Sequence, residues 1–563
     1  MDYKKRLQEW LDHPLIDKET KEELRAIEDE KELEDRFYLF LEFGKAGLRG
    51  KLGAGTNRMN PYVIGKTTQG LANTIKKYGK EAMEKGVVIA RDVRIMSKEF
   101  SEIAASVFAG NGIRTYLFDD IRPTPMLSYA VRDIGTISGI VITASHNPRE
   151  YNGYKVYWEK GSQILEDKAE EIVKEIDQLS LEDVKTMDFQ EGKNQGLILT
   201  VPQEVEERYY AKTLDMKIHD DIDKDIMVIY TPLNGTGNLP VRKVLKDRGF
   251  ENIFVVPEQE CPDGTFATVG YPNPEDPKAF EYALKYGKEK NADLILATDP
   301  DCDRVAAMSK NGDGYIFING NQMGALLIDY IIHSREEMGT LPEKGAIVKS
   351  VVTGNMGFDI VKDTGIHTFQ TLTGFKNICA LPNFWDDTDE FQFVFGYEES
   401  IGYVYGDYVR DKDAVVTSMM IVEMAGYYKK QGKSLYDVLE ELYKKHGYYG
   451  EDLTSLVLDG KEGSERILRM MNEIRNKPFK EIGDCKVIEV IDFKDGYQEY
   501  YNIGATNLLR YTLEDESWFC IRPSGTEPKI KLYIYVKGKS PEERDDKLSK
   551  IKTIVLERLE DVK

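Results

Sequence analysis

A serine in a short polar loop is the first residue whose surroundings predict chemistry. Ser145 lies in the segment 143–148 (TASHNP), directly after the apolar run 140–142 (IVI). The run predicts a core strand and Asn147-Pro148 predicts a turn, so the hydroxyl is expected at a rigid strand end, presented to a cleft rather than buried. His146 is adjacent, but the sequence indicates no Ser/His/Asp triad. An ordinary serine-containing turn is the alternative interpretation.

Three alternate aspartates follow another apolar run and predict a metal site. Asp299, Asp301 and Asp303 come directly after the segment 294–297 (LILA). In an extended segment alternate side chains point to one side, so three hard oxygen donors would converge, as Mg²⁺ requires. Cys302 would then point away, and a thiolate suits Mg²⁺ poorly. A solvated acidic face is the alternative, whereas an EF-hand is disfavoured because its glycine and distal glutamate are missing.

A third loop is suited to a sugar. Segment 396–402 (GYEESIG) follows an apolar run and offers two adjacent carboxylates and a hydroxyl between glycines. These groups can exchange hydrogen bonds with vicinal sugar hydroxyls. The alternative is a polar turn in which Glu398 or Glu399 pairs with Arg410 or Lys412.

A fourth loop is suited to a phosphate. Segment 522–528 (RPSGTEP) combines the guanidinium of Arg522, two hydroxyls and backbone N–H groups that Gly525 leaves accessible. Such a concave donor set matches a phosphate group, and the absence of GK[ST] argues against an NTPase. A tight turn with an exposed arginine is the alternative.

The elements that must position these loops follow a repeated order of strand, polar loop and helix. Runs at 86–90, 226–230 and 346–348 each lead into such a loop, which predicts α/β layers with ligands at the carboxyl ends of strands. Near the end, 529–537 alternates apolar residues with Lys and Tyr, which predicts a half-exposed strand of an antiparallel sheet. A final helix should begin at Ser540-Pro541.

The predicted architecture is four domains around a central cleft, three of them mixed α/β sheet domains and the last a smaller α+β domain. The final helix is expected to bury one apolar face, formed by Leu548, Ile551, Val555 and Leu559. The expected boundaries are 1–205 for the serine loop, 206–318 for the metal loop, 319–445 for the sugar loop and 446–563 for a phosphate-binding lid.

Composition limits the classes of function. The 563 residues carry a formal net charge of −22, which disfavours nucleic acid or an anionic membrane as partner, because both require a basic surface. No apolar stretch approaches the roughly 18 residues of a membrane span, so a cytoplasmic enzyme is expected. Five cysteines without CxxC spacing suggest neither a disulfide framework nor a zinc site.

Together the loops resemble those of the α-D-phosphohexomutase family, over nearly the whole chain and most closely in its phosphoglucomutase and phosphopentomutase-like members. Segment 43–50 (FGKAGLRG) resembles the family's N-terminal motif, and 152–155 (NGYK) resembles the segment after its phosphoserine loop. Segment 371–376 (TLTGFK) resembles its specificity loop. Two positions depart from the pattern: Lys45 replaces a small hydroxyl residue and Asn234 replaces a common histidine.

The resemblance implies a set of site residues. Ser145 would be the phosphorylated serine and would bind Mg²⁺ together with Asp299, Asp301 and Asp303. Lys155 would be the general acid/base, with a pKa depressed by Arg49, Arg304 and Mg²⁺, and His146 is the second choice. Arg304 would offset charge on the transferring group. The implied substrate-binding residues are Arg49, Thr373, Gly374, Lys376, Glu398, Ser400, Arg522, Ser524, Gly525 and Thr526.

The implied reaction interconverts α-D-glucose 1-phosphate and glucose 6-phosphate through a phosphoserine and glucose 1,6-bisphosphate, which acts as intermediate and activator. The expected partner is a small-molecule sugar phosphate, with no nucleic acid and no membrane, and the expected state is a monomer or homodimer. Phosphopentomutase or phosphomannomutase activity remains an alternative on the same scaffold. A sugar-phosphate phosphatase and an inactive binding relative are alternatives of a different class.

Overall fold

The computed structural model describes residues 2–44, 47–458, 460–524 and 529–563. The chain forms two compact units. The first lies within Met1–Asn319, Phe375–Phe395 and Ser400–Ser434, and the second within Gly320–Gly374, Gly396–Glu399 and Leu435–Lys563. Within the described residues no helix has both the length and the apolar character needed to cross a bilayer.

Three short helices precede the first sheet: α1 Tyr3–Asp12, α2 Lys18–Ala26 and α3 Glu30–Phe37. Each begins at an aspartate whose carboxylate accepts a backbone N–H of the first turn. Trp10 contacts Phe37 and Tyr62 edge-on, with ring centroids 5.6 Å apart in both pairs. The buried Arg58 donates to Asp35 at 2.7 Å. These helices are therefore joined to the segment after the first strand by both apolar and ionic contacts.

The first sheet has six strands in the order β1-β5-β4-β2-β3-β6. Its strands are β1 Gly47–Lys51, β2 Val87–Arg91, β3 Thr115–Leu117, β4 Ser138–Ile142, β5 Tyr151–Trp158 and β6 Ile198–Thr200. The accompanying helices are α4 Pro61–Lys77, α5 Lys80–Lys85, α6 Ser97–Gly110, α7 Thr124–Ile134, α8 Glu166–Asp177, α9 Phe189–Asn194 and α10 Gln203–Asp215. Every residue of β4 is buried, as expected for a parallel strand covered on both faces.

Strand β5 runs antiparallel to both β1 and β4. The residues that follow the serine loop therefore return to lie beside that loop. Gly153 permits this close approach, because a Cβ atom there would lie 2.4 Å from the carbonyl oxygen of Thr143. Lys155 and Tyr157 are two residues apart on this strand and share one face.

The second sheet, also in the first unit, has the order β11-β10-β9-β7-β8. Its strands are β7 Val228–Thr231, β8 Ile253–Val255, β9 Leu294–Thr298, β10 Val305–Asn311 and β11 Gly314–Ile318. Its helices are α11 Asn238–Asp247, α12 Pro257–Glu260 and α13 Glu281–Lys290. Strands β7 and β9 are parallel and β10 returns antiparallel, so the aspartate loop joins the carboxyl end of β9 to β10.

The next part of the chain contributes to both units. In the second unit lie α14 Gly320–Glu337, β12 Gly345–Ser350, α15 Met356–Val361, β13 His367–Thr371 and α18 Leu435–His446. In the first unit lie α16 Phe375–Thr388, β15 Gly402–Tyr405 and α17 Ala414–Lys429, whereas β14 Gln392–Glu398 contributes residues to each. Strands β12 and β13 pair in parallel.

The C-terminal part forms a six-stranded sheet in the order β16-β21-β20-β19-β18-β17. Its elements are β16 Tyr448–Val457, α19 Gly460–Asn476, β17 Glu481–Ile482, β18 Cys485–Asp492, β19 Leu509–Leu513, β20 Trp518–Pro523, β21 Lys529–Gly538 and α20 Pro541–Glu560. Helix α20 begins at the predicted Ser540 cap and buries Ile551, Val555 and Leu559, with Leu548 packed beside them.

The prediction that β21 is half-exposed is wrong for its tyrosines. Tyr533 and Tyr535 are only 7% and 4% exposed. Tyr535 stacks on Trp518 with ring centroids 5.4 Å apart, and its hydroxyl accepts the N–H of Met356 at 2.8 Å. The second face of this strand is therefore covered by residues far away in the sequence, which alternation alone does not reveal.

Candidate active site

Ser145 lies at the carboxyl end of β4 in a turn, as predicted, but it is buried and only 3% exposed. Its hydroxyl donates to Oδ2 of Asp299 at 2.7 Å and lies 3.2 Å from Nδ1 of His146. The expectation of a serine presented rather than buried is therefore wrong, because the side chain faces the metal loop. Its φ of +52° is a left-handed conformation that costs energy for a non-glycine residue.

Two residues that the sequence analysis did not single out hold this strained turn. The hydroxyl of Thr143 accepts the N–H of Ser145 at 2.8 Å and donates to Asp92 at 2.6 Å. The buried guanidinium of Arg94 donates to the carbonyls of Ser145, Asn147, Pro148 and Tyr151. The polar groups of the turn are thus satisfied by side chains, which compensates for its unfavourable backbone conformation.

The three aspartates converge, as predicted. One carboxylate oxygen from each of Asp299, Asp301 and Asp303 lies within 4.8 Å of the others, and all three residues are at most 2% exposed. The predicted extended backbone is wrong. The loop turns after Asp299, and Cys302 has a φ of +52°. The turn is stabilised by Oδ1 of Asp299, which accepts the N–H groups of Asp303 at 3.1 Å and Arg304 at 3.0 Å.

These carboxylates fit a divalent cation. The Oδ1 atoms of Asp301 and Asp303 are buried and have no hydrogen-bond partner among the residues that the structure describes. Unpaired buried carboxylate oxygens are costly unless a cation or water binds them. Three aspartate oxygens are the ligand type that Mg²⁺ prefers. Cys302 does not belong to this cluster.

Two lysines bind the other oxygens of the cluster. Lys155 donates to Oδ2 of Asp301 at 2.7 Å and of Asp303 at 3.3 Å, and Lys412 lies 3.2 Å from Oδ2 of Asp303. Burial disfavours the charge of Lys155, but the two aspartates outweigh it and raise its pKa. Without a metal ion this direction is opposite to the predicted depression of the pKa, because the ammonium group faces carboxylates rather than arginines.

The charge of the cluster is unevenly distributed. Burial, together with repulsion from Asp301 and Asp303, raises the pKa of Asp299 well above its ordinary value. Burial acts in the same direction on Asp301, but there Lys155 outweighs it and lowers the pKa. For Asp303, burial and Asp301 are outweighed by Lys412, Lys155 and Arg304, so its pKa is also lowered. A cation at this site would relieve the repulsion felt by Asp299.

The remaining predicted catalytic groups lie around Ser145 in the first unit. Burial, followed by Arg304 and Arg49, lowers the pKa of His146 well below its ordinary value, which favours the neutral imidazole. Arg49, on β1, is exposed and donates to Oδ1 of Asn147 at 3.1 Å. Arg304 donates to the carbonyl of Ser400 at 2.9 Å. Ser400 thus lies against the metal loop through its backbone.

Two residues of this cluster escaped the sequence analysis as functional groups. Thr124, at the start of α7, donates its hydroxyl to Oδ2 of Asp301 at 2.8 Å. Lys412 was considered only as a partner of the glutamates, but it lies between Asp303 and Asp411, 3.2 Å from each. The tyrosine hydroxyl of Tyr157 donates to Asp411 at 2.6 Å. The signal available in the sequence was a lysine flanked by two aspartates, in the segment 410–413 (RDKD).

A second group of predicted residues comes together in the second unit. Glu398 accepts the N–H of Gly374 at 2.7 Å, and Arg522 donates to the hydroxyl of Thr373 at 2.6 Å. The N–H of Ser524 donates to the carbonyl of Lys529 at 2.7 Å. The predicted sugar, specificity and phosphate loops are therefore linked by hydrogen bonds. Gly525 and Thr526 lie outside the described residues. So does Lys45, the residue that departs from the family's N-terminal motif.

Two predicted positions have local roles in the structure. Lys376 is buried and pairs with Glu166 at 3.3 Å. Asn234 has a left-handed backbone with φ +58°, which asparagine tolerates, and its amide donates to the carbonyl of Cys261 at 2.8 Å. Glu399, which the alternative interpretation paired with Arg410 or Lys412, accepts from the hydroxyl of Thr353 at 3.0 Å.

The chain matches three family models in succession. They are the phosphoglucomutase/phosphomannomutase alpha/beta/alpha domains I, II and III, at residues 41–183, 207–312 and 319–446. The chain therefore belongs to the phosphoglucomutase/phosphomannomutase family of α-D-phosphohexomutases. The predicted fold class, three mixed α/β domains followed by a sheet-rich C-terminal domain, is confirmed, and membership makes the protein an isomerase.

Two similar proteins from this family are phosphoglucomutases. A phosphoglucomutase of Staphylococcus haemolyticus is 36% identical over 515 residues, covering 89% of this chain and 91% of the relative. A phosphoglucomutase of Staphylococcus aureus strain MSSA476 is 35% identical, covering 94% and 95%.

Among solved structures, the open form of parafusin, a phosphoglucomutase of Paramecium, has a TM-score of 0.71 at 17% identity, covering 93% of this chain and 95% of that one. A putative phosphomannomutase from Thermus thermophilus has a TM-score of 0.68 at 21% identity, covering 92% and 99%. These likenesses establish the fold.

Proposed function

We propose that the protein is a phosphoglucomutase that interconverts α-D-glucose 1-phosphate and glucose 6-phosphate. The observation that carries this proposal is the 2.7 Å hydrogen bond from the hydroxyl of Ser145 to Asp299, inside a buried cluster of three aspartates. Relatives at 34–36% identity over most of the chain are phosphoglucomutases, which supports the choice of sugar.

In the proposed reaction, phosphorylated Ser145 transfers its phosphoryl group to the free hydroxyl of a hexose monophosphate. The bond between phosphorus and the serine oxygen breaks, a bond to the sugar oxygen forms, and the proton of the sugar hydroxyl passes to the serine oxygen through a general acid/base. Lys155 is proposed for that role, because its ammonium group, which lies among the aspartates, would give a proton to the serine oxygen and then take the proton of the sugar hydroxyl. His146, whose Nδ1 lies 3.2 Å from the serine oxygen, is the second choice. The bisphosphorylated sugar then turns over and returns its other phosphoryl group.

Asp299, Asp301, Asp303 and Ser145 are the proposed ligands of Mg²⁺. When bound, the ion would offset negative charge on the transferring phosphoryl group, a role that Arg304 would share. The Oδ1 atoms of Asp301 and Asp303, which are buried and accept no hydrogen bond from the described residues, support this assignment.

The other predicted residues are proposed to bind substrate. Glu398 and Ser400 would read sugar hydroxyls, and the phosphate that is not reacting would be bound by Arg522, Ser524, Gly525 and Thr526. Thr373, Gly374 and Lys376 would shape the specificity loop, and Arg49 would approach the transferring group. The hydrogen bonds from Gly374 to Glu398 and from Arg522 to Thr373 support a common role for these loops.

The test is a coupled assay of glucose 1-phosphate conversion to glucose 6-phosphate with Mg²⁺ and a trace of glucose 1,6-bisphosphate. Intact mass should show one phosphate on the purified protein, and Ser145→Ala should remove both the phosphate and the activity. Ser180→Ala, an exposed serine of the same domain, is the matched control and should change neither.

Three outcomes would contradict the proposal. Faster turnover of ribose 1-phosphate or mannose 1-phosphate would indicate a phosphopentomutase or phosphomannomutase. Release of inorganic phosphate without isomerisation would indicate a phosphatase. Absence of both activity and phosphoserine would indicate an inactive binding relative.

A further inference from the structure

Lys349 is a buried lysine that the proposed reaction does not use. It lies near the end of β12 and is 0% exposed. Its Nζ donates to the carbonyl of Thr353 at 2.7 Å and to Oδ1 of Asn355 at 2.9 Å, both of which are neutral acceptors. Burial, followed by repulsion from Arg510, lowers its pKa well below the ordinary value. Burying an amino group is costly, and its two hydrogen bonds offset part of that cost by fixing the positions of Thr353 and Asn355.

Two residues near Lys349, Ser350 and Thr353, bind Glu399. The hydroxyl of Thr353 donates to Oε2 of Glu399 at 3.0 Å and accepts the N–H of the same residue at 3.2 Å. The hydroxyl of Ser350 donates to the same carboxylate oxygen at 3.3 Å. Thr353 therefore fixes both the backbone and the side chain of Glu399, while Lys349 fixes the backbone of Thr353.

The next residue in the chain toward the N-terminus is Glu398, the proposed reader of sugar hydroxyls. Its carboxylate accepts the N–H of Gly374 at 2.7 Å, and the adjacent Thr373 accepts from Arg522 at 2.6 Å. Hydrogen bonds, together with the peptide links from Glu399 to Glu398 and from Gly374 to Thr373, thus connect the buried lysine to the proposed sugar-reading carboxylate and to Arg522. All of these residues belong to the second unit.

We propose that Lys349 and Thr353 are positioning residues, which set the Glu398 carboxylate relative to Arg522 so that the site accepts a hexose monophosphate in preference to a pentose phosphate. This inference rests on the proposed function. A carboxylate and a guanidinium that read two ends of one sugar must keep a set spacing, and a small displacement lowers the affinity for the matching sugar most. Glu399 is therefore assigned to holding this spacing rather than to contacting the sugar.

The experiment compares Thr353→Val, which keeps the shape but removes the hydroxyl, with Thr353→Ser, which keeps the hydroxyl. For the valine variant we expect the KM for glucose 1-phosphate to rise about tenfold with kcat within twofold of the wild type, and the preference for glucose 1-phosphate over ribose 1-phosphate to fall. The serine variant should stay within about threefold of the wild type. Thr364→Val removes a hydroxyl that donates to the carbonyl of Val361 in the same unit and should change nothing.

The inference is overturned if KM and substrate preference are unchanged in a folded Thr353→Val protein, if Thr353→Ser is as impaired as the valine variant, or if kcat alone falls. Should the valine variant not fold, Ser350→Ala removes a donor to the same carboxylate and is expected to raise KM about threefold; no change there would equally overturn the inference.

Failure of the proposed function is distinguished by calorimetric binding of glucose 6-phosphate in proteins that carry Ser145→Ala. The dissociation constant should rise about tenfold when Thr353→Val is added, whether or not the wild type is an active mutase. Unchanged affinity overturns the positioning role, whereas a wild type without mutase activity overturns the proposed function.

Discussion

Thr124 binds Asp301 through both its backbone and its side chain. Its N–H donates to the carbonyl of Asp301 at 2.9 Å, and its hydroxyl donates to Oδ2 at 2.8 Å. Thr124 begins α7, which packs on the first sheet, and Asp301 follows β9 of the second sheet, so this double contact attaches the start of α7 to the aspartate loop. Because Oδ2 is engaged by Thr124 and Lys155, Oδ1 is the oxygen left for a cation.

Thr124→Val should weaken Mg²⁺ binding without removing a ligand. Groups that orient metal ligands typically contribute 10- to 100-fold to affinity, so the Mg²⁺ concentration for half-maximal activity should rise by about that factor. Titration of activity with Mg²⁺ measures it. Thr136→Val, which removes another buried hydroxyl of the same domain, is the control; an equal effect in both variants would mean general destabilisation.

Asp299→Asn should stabilise the metal-free protein against unfolding but reduce the stabilisation that Mg²⁺ provides. The raised pKa of Asp299 shows that its charge is unfavourable beside Asp301 and Asp303, so removal of that charge should stabilise the metal-free protein by on the order of 1 kcal/mol. The stability that Mg²⁺ is expected to add to the wild type should largely disappear in the variant. Urea unfolding in EDTA and in Mg²⁺ measures both effects. Asp313→Asn, in the exposed turn after β10, should change neither.

Lys412→Met should destabilise the protein strongly. The ammonium group balances two buried carboxylates, Asp303 and Asp411, and loss of one partner of a buried ion pair typically costs about 3–5 kcal/mol. Adding Asp411→Asn should recover part of the loss, because one unpaired charge is then removed. Lys430→Met, which breaks an exposed pair with Asp221, should cost at most about 1 kcal/mol. Equal losses in both lysine variants would contradict the argument.

Asp413 should make stability fall as pH rises from about 4 to 6. Burial raises its pKa from an ordinary 3.8 to about 6, although N–H groups at the start of α17 and the hydroxyls of Tyr209 and Tyr408 oppose the shift. The folded protein therefore binds more protons than the unfolded chain in this window, and the contribution is present below pH 4 and lost above pH 6. The change is about 3 kcal/mol.

The measurement is the difference in unfolding free energy between the wild type and Asp413→Asn across this window. That difference should change by about the same 3 kcal/mol between pH 4 and pH 7. Asp188→Asn, at an exposed aspartate that also caps a helix, is the control. Parallel curves for wild type and Asp413→Asn would show that this carboxyl does not titrate in the window.

The sequence predicted what is encoded locally. The strands before Ser145 and Asp299, the turn at Asn147-Pro148 and the cap at Ser540 depend on neighbouring residues, and each was predicted correctly. The extended backbone of the aspartate loop was predicted wrongly. Alternate spacing suits an extended strand, but here Asp299 accepts two N–H groups of its own loop and stabilises a turn.

What depends on distant residues could not be predicted. Thr124 is 177 residues from Asp301, and Lys155 is 146 residues from it. The pKa of Lys155 depends on which side chains face it, and a motif identifies the residue without identifying those neighbours. The burial of Tyr535 has the same origin, because Met356 lies 179 residues away.

The helices α1–α3 precede residue 41, where the first family match begins, yet they are not a dispensable appendage. They supply Asp35 and Glu32 to the guanidinium of Arg58, which is 3% exposed, and they cover one edge of Tyr62. A recombinant protein that starts at residue 41 would lack the two acids that pair with Arg58 and would expose the aromatic ring of Tyr62 to solvent. Poor yield of such a truncated protein would therefore reflect lower folding stability rather than damage to the catalytic residues.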